Sequence, residues 1–521
     1  FARAMLASKL FVASKCGGAK CLDVLRRNLA AKQVRHARHS STSKDVRGEG
    51  KGAPFLHAFN KAYPLTPPKV HVKGEDGIYV IDEAGNKILD GLAGLWSVNL
   101  GYNQERLVSA ASDQMRKLPY YHSFWNQGHA PGYELAARLK EFIPFPVEKI
   151  MFTSGGSDAN DTAIKLVWYY NNALGRPGKK KILARNKAYH GVTALSASCS
   201  GLPAIHKGFG GEDQLDLPLA GVIRLTCPHQ YRFGGPAEAE DAFADRLAQE
   251  VEERIVAAGG AERVAAMIGE PLMGAGGVMP PPRGYWPKVQ AVLRKYDVLL
   301  IADEVVSGFG RLGFDFGSQA YGMEPDIVTM AKAITSSYVP MGAVTLSPKV
   351  AAVVAEGSKD GLLGHGYTFG GHPVACAVAL ECLAIYRDDA VLANVRARTP
   401  ELLGGLRDIC RGSSLVGEIR GRGLIVAVEL VADRGSRAAL PAAEGMGGFF
   451  CDAARRHGLI VRAIGDVIAL SPPLIISADG VSQILGMFGR ALRDTEAEAA
   501  KRGLGTPSEA PLFDTQLQLE P

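Results

Sequence analysis

Short apolar runs alternate with amphipathic segments along most of the chain, and this alternation limits the possible folds more than any other feature. Strands are predicted at residues 149–153, 181–184, 264–268, 298–302, 327–330 and 342–345. Helices are predicted at residues 103–119, 131–142, 157–174, 287–296, 375–387 and 390–409. Strands that alternate with helices favour an α/β domain with a mainly parallel sheet.

The flanking regions follow other patterns. Residues 78–82 and 87–90 alternate loosely on either side of a turn at 83–86, which predicts a β-hairpin. The segment that follows residue 409 mixes strand-like and helix-like stretches up to about residue 495. The last residues, 500–521, contain Pro and Gly and are expected to be loose.

The composition of the 521 residues is that of an ordinary globular protein. Apolar residues make up 47% and charged residues 21% of the chain, which excludes a mainly disordered, collagen-like or coiled-coil architecture. No apolar run approaches the ~18 residues that a membrane-spanning helix needs, so we expect no membrane partner. At roughly 150 residues per domain, the length allows about two to four domains.

The positive charge is concentrated at the N-terminus. The net charge is +6, but residues 1–44 hold ten basic side chains and one acidic side chain, so the remainder carries −3. A basic, serine-containing and acid-poor segment with helical apolar spacing is typical of an organelle transit peptide. We predict transport to the mitochondrial matrix, with the plastid as the alternative. The competing interpretation is a disordered basic tail that binds nucleic acid or has no ligand at all, and the nearly neutral body predicts no nucleic-acid partner.

The cysteines and histidines do not indicate a covalent or metal framework. The eight cysteines form no C-x-x-C pair and are too dilute for a disulfide scaffold, so we expect free thiols in a reducing compartment. The pair His36 and His39 has no partner ligands nearby in sequence, and we predict no metal site.

Three predicted strand ends carry polar groups that suit chemistry. The turn at 154–157 joins a strand to a helix, and backbone N–H groups at a helix N-terminus bind phosphate well. Asp303 follows five apolar residues, and a buried unpaired carboxylate is costly unless it faces a cation. Lys332 ends the apolar run 327–331, where partial desolvation lowers the pKa of an amine and makes it nucleophilic. Each of the three also has an ordinary structural explanation when taken singly: a helix cap for the turn, a loop-capping side chain for Asp303 and a surface position for Lys332.

Taken together, an anion-binding turn, a buried acid and a nucleophilic amine match the three functional groups of pyridoxal phosphate. This cofactor has a phosphate, a protonated ring nitrogen and an aldehyde, and its enzymes hold it with a lysine imine and an acidic partner for the ring nitrogen. The pattern therefore predicts a pyridoxal-phosphate site in which Lys332 and Asp303 are catalytic.

Longer motifs make this prediction more specific. They are LAGLWSVNLGY at 92–102, YHSFWNQ at 121–127, LVWYYNNALGR at 166–176, GEPLMGAGGV at 269–278, IADEV at 301–305, TFGGHPVA at 368–375 and SPPLI at 471–475. With these motifs the sequence resembles the class III aminotransferases of fold type I over roughly residues 54–495. Among them it is similar to the plant-type mitochondrial 4-aminobutyrate (GABA):pyruvate transaminases.

The resemblance implies a role for each residue that matches a cofactor-binding position of the family. Lys332 corresponds to the lysine that forms the imine, and Asp303 to the acid that keeps the ring nitrogen protonated. Gly156 and Ser157 correspond to the phosphate cradle, and Tyr189 to the aromatic residue that stacks on the pyridine ring.

The resemblance also implies a substrate pocket and a partner subunit. Trp96 and Arg462 correspond to a pocket wall and to a mobile arginine that binds a substrate carboxylate, and Tyr189 borders the same pocket. Thr368 corresponds to a residue that reaches the cofactor phosphate of the neighbouring subunit, which implies a homodimer with shared active sites. Ser97, beside the pocket tryptophan, stands where the plant enzymes often have Cys.

The implied fold class is α/β, a PLP-dependent transferase of fold type I with a large, mainly parallel sheet domain and a smaller α+β domain. We predict a transit peptide at 1–44, an N-terminal segment that joins the small domain at 45–105, a large cofactor-binding domain at 106–374, a C-terminal small domain at 375–499 and a loose tail at 500–521.

The implied activity is transamination of an omega-amino acid, GABA first, with pyruvate or glyoxylate, giving succinate semialdehyde and alanine or glycine. The predicted partners are thus a small-molecule amino donor and a keto acid. The alternatives are another donor (β-alanine, or an aromatic amine such as vanillylamine) and a decarboxylase or aminomutase of the same fold. A catalytically inactive relative is disfavoured because the lysine, the acid and the phosphate turn are all present.

Overall fold

The structure is a computed structural model that describes residues 56–60, 68–210, 216–235, 237–505 and 510–514. The predicted transit peptide lies outside the described residues. Contacts divide the chain into a unit of residues 1–70 and a compact unit of residues 71–521. In the first unit, residues 58–59 form a turn and 68–70 have no regular secondary structure.

The described strands form three sheets. In chain order they are β1 (His71–Glu75), β2 (Tyr79–Asp82), β3 (Lys87–Asp90), β4 (Lys149–Thr153), β5 (Lys181–Arg185), β6 (Val222–Leu225), β7 (Val264–Gly269), β8 (Leu299–Asp303), β9 (Ile327–Met330), β10 (Gly342–Leu346), β11 (Val416–Arg422), β12 (Ile425–Leu430), β13 (Leu459–Ile460), β14 (Arg462–Ile464), β15 (Val467–Leu470) and β16 (Phe513–Asp514).

The described helices of ten or more residues are α1 (Glu105–Lys117), α2 (Ala130–Phe142), α3 (Gly156–Ala173), α4 (Glu240–Ala257), α5 (Tyr285–Lys295), α6 (Pro348–Gly357), α7 (Pro373–Asp388), α8 (Val391–Cys410), α9 (Met446–Arg456) and α10 (Ala478–Lys501). Shorter helical turns are Ala93–Trp96, Ala194–Cys199, Pro203–His206, Gln230–Phe233, Gly260–Glu262, Gly317–Ala320, Lys332–Ile334 and Ala442–Glu444. None of the described helices is long and apolar enough to cross a membrane.

The large sheet has the strand order β4-β10-β9-β8-β7-β5-β6 and is mainly parallel, which confirms the predicted α/β class. Strands β5 to β9 pair in parallel, whereas β10 is antiparallel to both of its neighbours. The segment between β9 and β10 is short, and a parallel crossover needs about a dozen residues or more, usually with a helix. The chain therefore turns back, a reversal that the apolar pattern alone did not indicate.

Helices cover both faces of this sheet, so its central strands β7 and β8 are buried along their whole length. Alternate residues of a strand point to opposite faces. Leu299 and Ile301 of β8 pack in one cluster with α3 and α6, while Leu300 and Ala302 pack in the cluster on the other face with α4 and α5. Asp303 continues the first series, so its side chain faces α3.

The two smaller sheets join distant parts of the chain. The predicted hairpin forms β2 and β3, and β13 adds to it in parallel beside β3. The third sheet has the order β14-β15-β12-β11-β16. Its edge strand β16 comes from the tail that was expected to be loose, and it pairs with β11 in parallel. The pairing of β13 with β3 supports the proposal that the N-terminal segment joins the small domain, and the domain boundaries stay predictions.

The predicted strands begin and end within one residue of those in the structure, and the predicted helices within two. The elements that were not predicted before residue 409 include strands β1 and β6 and helices α4 and α6. Helix α4 nevertheless carries the expected pattern, since Phe243, Leu247, Val251 and Ile255 recur every four residues and are all buried.

Candidate active site

The carboxylate of Asp303 lies at the end of β8 and is held from three directions. Its Oδ2 accepts hydrogen bonds from Nδ1 of His190 at 2.7 Å and from Nδ2 of Asn160 at 2.8 Å. Its Oδ1 accepts one from the backbone N–H of Val305 at 3.1 Å. Donors on three separate elements fix the orientation of this buried carboxylate.

His190 and Asn160 are functional candidates that the sequence reasoning missed. Asn160 on α3 also donates to the carbonyl of His190 at 2.6 Å, and its own carbonyl accepts from the hydroxyl of Thr329 at 2.7 Å. These bonds determine which end of the amide faces Asp303. The signal was available, because Asn160 follows Ser157 by three residues and His190 follows Tyr189 directly, yet only the fold brings them to β8.

Lys332 begins a short helical turn directly after β9. Its backbone has a φ of 48°, in the left-handed region that residues other than Gly rarely occupy and that is frequent at functional sites. The side chain is half-buried, and burial lowers the pKa of its amine to about 8. The charges of Asp303 and Glu270 oppose this shift, and that of Arg462 adds to it. An amine with this pKa is partly neutral and nucleophilic near pH 8.

The N-terminus of α3 forms an uncapped turn. Gly155 precedes the helix without a side chain to cap it, and the space where its Cβ would lie is open. The first N–H groups of a helix have no partner within the helix, so they are available to an anion. Ser157 Oγ accepts from the N–H of Val192 at 3.1 Å, which leaves its own hydroxyl hydrogen to donate. A Cβ on Gly191 would lie 2.5 Å from Ser157 Oγ, so this close approach requires glycine.

Tyr189 lies beside a second carboxylate, that of Glu270, which the sequence analysis did not single out. Oε1 of Glu270 accepts from the backbone N–H of Tyr189 at 3.1 Å, and Oε2 accepts from the N–H of Gly274 at 2.7 Å. Burial raises the pKa of this carboxyl group. Glu270 thereby ties the segment that carries the stacking candidate to the loop after β7.

Arg462 and Trp96 form the other side of the site. The guanidinium carbon lies 5.3 Å from the centroid of the Trp96 ring, within the range of a cation–π interaction. Trp96 is buried, has a φ of 59°, and its indole N–H has no hydrogen-bond partner among the described residues. Burial lowers the pKa of the half-buried Arg462. Within the described chain no carboxylate lies at ion-pair distance from it.

Thr368 is exposed on the loop before α7, and its backbone carbonyl accepts a hydrogen bond from the Tyr120 hydroxyl at 2.7 Å. Within the single chain, the charges of Asp303 and Arg462 act on Lys332 and on Tyr189. No hydrogen bond among the described residues links any of these four side chains to Thr368. Its predicted role in a neighbouring subunit stays a prediction.

The comparisons with known proteins agree with this arrangement. The family model "Aminotransferase class-III" matches residues 61–492. The chain belongs to the class III aminotransferases.

Two relatives from plants illustrate the similarity within this family. The aminotransferase is 47% identical over 464 residues to "Probable gamma-aminobutyrate transaminase 2, mitochondrial" of Oryza sativa subsp. indica, which covers 89% of this chain and 91% of that protein. It is also 47% identical over 456 residues to "Gamma aminobutyrate transaminase 3, chloroplastic" of Solanum lycopersicum, which covers 87% and 86%. Among solved structures, the omega transaminase of Pseudomonas jessenii in complex with PMP is 47% identical, with a TM-score of 0.84 over 88% of this chain and 99% of that one.

Class III aminotransferases depend on pyridoxal phosphate, and the residues of this aminotransferase fit that cofactor. The open, uncapped start of α3 with the Ser157 hydroxyl suits a phosphate. The carboxylate of Asp303, fixed by His190 and Asn160, suits a protonated ring nitrogen. The amine of Lys332, with its lowered pKa, suits an aldehyde. Each functional group of the cofactor thus has a chemically matched residue on the chain.

Proposed function

We propose that this aminotransferase moves the amino group of an omega-amino acid, GABA first, to pyruvate or glyoxylate. The products are succinate semialdehyde and alanine or glycine. The observation that carries this proposal is the guanidinium of Arg462, which lies against Trp96 without a carboxylate partner among the described residues and whose charge acts on both Lys332 and Tyr189. An arginine in this position fits a substrate carboxylate remote from the reacting amine. The names of the plant relatives support GABA as the donor.

Lys332 is the proposed acid–base group. Bound pyridoxal phosphate supplies an aldehyde that takes up the amino group and a ring that accepts the electron pair when a proton leaves the substrate carbon. The neutral amine of Lys332 removes that proton from the substrate carbon next to nitrogen. The resulting ammonium then gives the proton to the carbon that comes from the cofactor aldehyde. Its lowered pKa places both protonation forms within reach near neutral pH.

The other proposed residues bind and orient. Asp303, held by His190 and Asn160, keeps a proton on the ring nitrogen. Gly156 and Ser157 hold the phosphate, and Tyr189 stacks on the ring. Donor and acceptor both carry a carboxylate, the donor at its far end and the acceptor next to the reacting carbon, so one swinging arginine can bind either in turn.

A homodimer with shared active sites is also part of the proposal. Thr368 is exposed and is surrounded by exposed aromatic residues, including Tyr120 and Phe369, whose rings meet edge to face. An exposed aromatic surface of this kind is typical of a protein interface. The second subunit would place its own Thr368 on the phosphate of the first.

For the location of the enzyme we propose the mitochondrial matrix, with the plastid as the alternative. The basic leader 1–44 and the mitochondrial and chloroplastic names of the relatives support an organelle destination. A fusion of residues 1–44 to a reporter should enter isolated mitochondria. Entry into plastids alone would correct the proposal, and entry into neither would refute it.

A donor–acceptor panel tests the activity directly. Protein that starts near Thr42 is assayed with GABA, β-alanine and vanillylamine against pyruvate, glyoxylate and 2-oxoglutarate. We expect turnover with GABA and either of the first two acceptors, and the Lys332→Ala variant should show neither turnover nor a covalent imine. A preference for 2-oxoglutarate contradicts the proposed acceptor, and repeated turnover without any keto acid indicates a decarboxylase or an aminomutase.

A further inference from the structure

A chain of side-chain hydrogen bonds links the loop that carries Thr368 to helix α3. His365 Nδ1 lies 3.0 Å from Nζ of Lys165, and His365 Nε2 lies 2.9 Å from Oγ1 of Thr162. The same threonine hydroxyl lies 3.1 Å from the hydroxyl of Tyr367, which donates to the carbonyl of Asp158 at 3.2 Å. This series of hydrogen bonds thus begins and ends on α3 and includes two residues of the loop, His365 and Tyr367.

The donors and acceptors of these groups allow one direction only. A lysine ammonium can only donate, so Nδ1 of His365 accepts and Nε2 carries the hydrogen. The Thr162 oxygen accepts that hydrogen, and its own hydrogen goes to the Tyr367 oxygen because the hydrogen of Tyr367 is used on the Asp158 carbonyl. The network is complete when His365 is neutral. A second proton on the ring would occupy Nδ1 and place a donor and a positive charge against Lys165.

The two ends of this link belong to the proposed phosphate sites. Helix α3 starts at Gly156, so Thr162 lies less than two turns from the phosphate cradle. Tyr367 directly precedes Thr368 in the chain. On its other side the loop is held by the Tyr120 hydroxyl on the carbonyl of Thr368 and by Nε2 of His129, which lies 2.6 Å from the carbonyl of Gly371.

We propose that neutral His365 is a positioning residue that fixes the Thr368 loop to the cradle helix of its own subunit, and that its protonation releases the loop. It therefore couples the phosphate site of one subunit to the residue offered to its neighbour. This inference rests on the proposed function, because the phosphate roles of Gly156, Ser157 and Thr368 are part of that proposal.

The charges around His365 favour the neutral form. Burial, followed by the charge of Lys165, lowers the pKa of the imidazole from its ordinary value of 6.5. The other titratable groups nearby are Tyr367, whose ring meets the imidazole edge to face, and Asp158 and Asp161, whose charges act on Tyr367. His129 lines the same groove, which has a volume of about 880 Å³. In this setting Lys165 is the nearest charge and opposes protonation.

The sign of the pH effect follows from this lowered pKa. In an unfolded chain His365 is protonated below about pH 6.5, whereas in the folded loop it stays neutral to a lower pH. The link is therefore fully present above pH 6.5. It weakens as the pH falls and is lost as the pH passes through the lowered pKa of His365. We therefore expect the loop to loosen under acid conditions and to be fixed in a mildly alkaline compartment.

Two substitutions separate this role from a merely structural one. His365→Gln keeps an acceptor for Lys165 and a donor for Thr162 but cannot be protonated, whereas His365→Leu removes both. His457→Gln is the matched control, because that half-buried histidine pairs with Asp494 at 2.9 Å on another part of the fold. Two readouts are used: hydrogen exchange of the peptide containing residues 362–371 in the protein without cofactor, and the rate of cofactor loss from the holoenzyme followed by absorbance.

Exchange is expressed as protection relative to the intrinsic rate at each pH. The loop of the wild type and of His457→Gln should be protected at about pH 8 and lose that protection as the pH is lowered below 6.5. The loop of His365→Gln should stay protected over the same range and that of His365→Leu should be unprotected throughout, with cofactor loss about five- to tenfold faster whenever the loop is released. Equal pH dependence in His365→Gln and the wild type, or an unchanged loop in His365→Leu, overturns the inference. If no variant binds the cofactor, the proposed function fails, and the exchange of the loop still decides the role of His365.

Discussion

Nδ1 of His190 lies 2.7 Å from the carboxylate of Asp303, and both side chains are buried where the end of β8 meets the start of α3. The imidazole and the amide of Asn160 leave this carboxylate little freedom to turn. Its orientation is therefore set before any ligand binds. This is the arrangement expected of a carboxylate that must hydrogen-bond to one atom, the ring nitrogen of the cofactor.

The charge of Asp303 should be essential, whereas its shape alone should suffice for cofactor binding. Asp303→Asn keeps the size of the side chain but removes the negative charge, so we expect kcat to fall by at least about a hundredfold, as for other preorganised electrostatic groups. The absorbance of bound cofactor should persist. A kcat within about threefold of the wild type would contradict the assignment of Asp303 as the carboxylate that keeps the ring nitrogen protonated.

The lowered pKa of Lys332 predicts how the cofactor-free chain takes up pyridoxal phosphate. Burial shifts the pKa of the amine from 10.5 to about 8, so the neutral, reactive fraction rises with pH through that value. The rate of uptake, followed by absorbance, should increase up to about pH 8 and level off above about pH 9. A rate that continues to climb towards pH 10 would indicate an ordinary surface lysine, and Lys332→Ala should show no covalent uptake.

Arg462 should discriminate between amines by their carboxylate. Arg462→Met removes the charged hydrogen bonds to a substrate carboxylate, which are worth about 1.5–3 kcal/mol, so KM for GABA should rise roughly ten- to a hundredfold. An amine of similar length without a carboxylate, such as butylamine, should be affected much less. Arg456→Met, on an exposed arginine of α9, is the control. Equal losses for both amines would refute the carboxylate-binding role.

The stability of the molecule should depend on a buried arginine outside the site. Arg420 of β11 contacts the carboxylates of Glu418 and Glu429 and donates to the carbonyl of Gly277 at 2.7 Å. It thereby joins the third sheet to the loop after β7. Its removal takes one buried cation from this network and leaves Glu418 beside His229 and Glu429 beside Arg232. Breaking a buried ion pair costs about 3–5 kcal/mol.

Arg420→Met should therefore lower the free energy of unfolding by about that amount. Chemical denaturation of the holoenzyme measures the change. The exposed pair of Arg411 and Asp408 provides the comparison, since Arg411→Met should cost less than about 1 kcal/mol. Similar values for the two variants would mean that the buried network contributes no more than a surface ion pair.

Local patterns in the sequence were sufficient for much of the fold. The apolar runs located β7, β8 and β9 to within a residue, because a strand buried on both faces has no polar positions. They also placed Asp303 and Lys332 at the ends of two predicted strands. In the structure β8 and β9 are parallel neighbours, and parallel strands end at the same edge of a sheet, so the acid and the amine come close.

Other features required the tertiary structure. The direction of β10 depends on how the chain returns after Lys332, and the strand β16 exists only because β11 offers an open edge. The contact of Arg462 with Trp96 joins positions more than 300 residues apart, and no local pattern encodes such a pairing.

By itself, the sequence determined the chemical groups of the candidate site and the strands that carry them, since both depend on residue type and short-range periodicity. The tertiary structure decided the partners: His190 and Asn160 on Asp303, Glu270 behind Tyr189, and His365 between the Thr368 loop and α3. Hydrogen bonds are short and directional, so they form between elements only after packing has brought those elements within about 3 Å of each other.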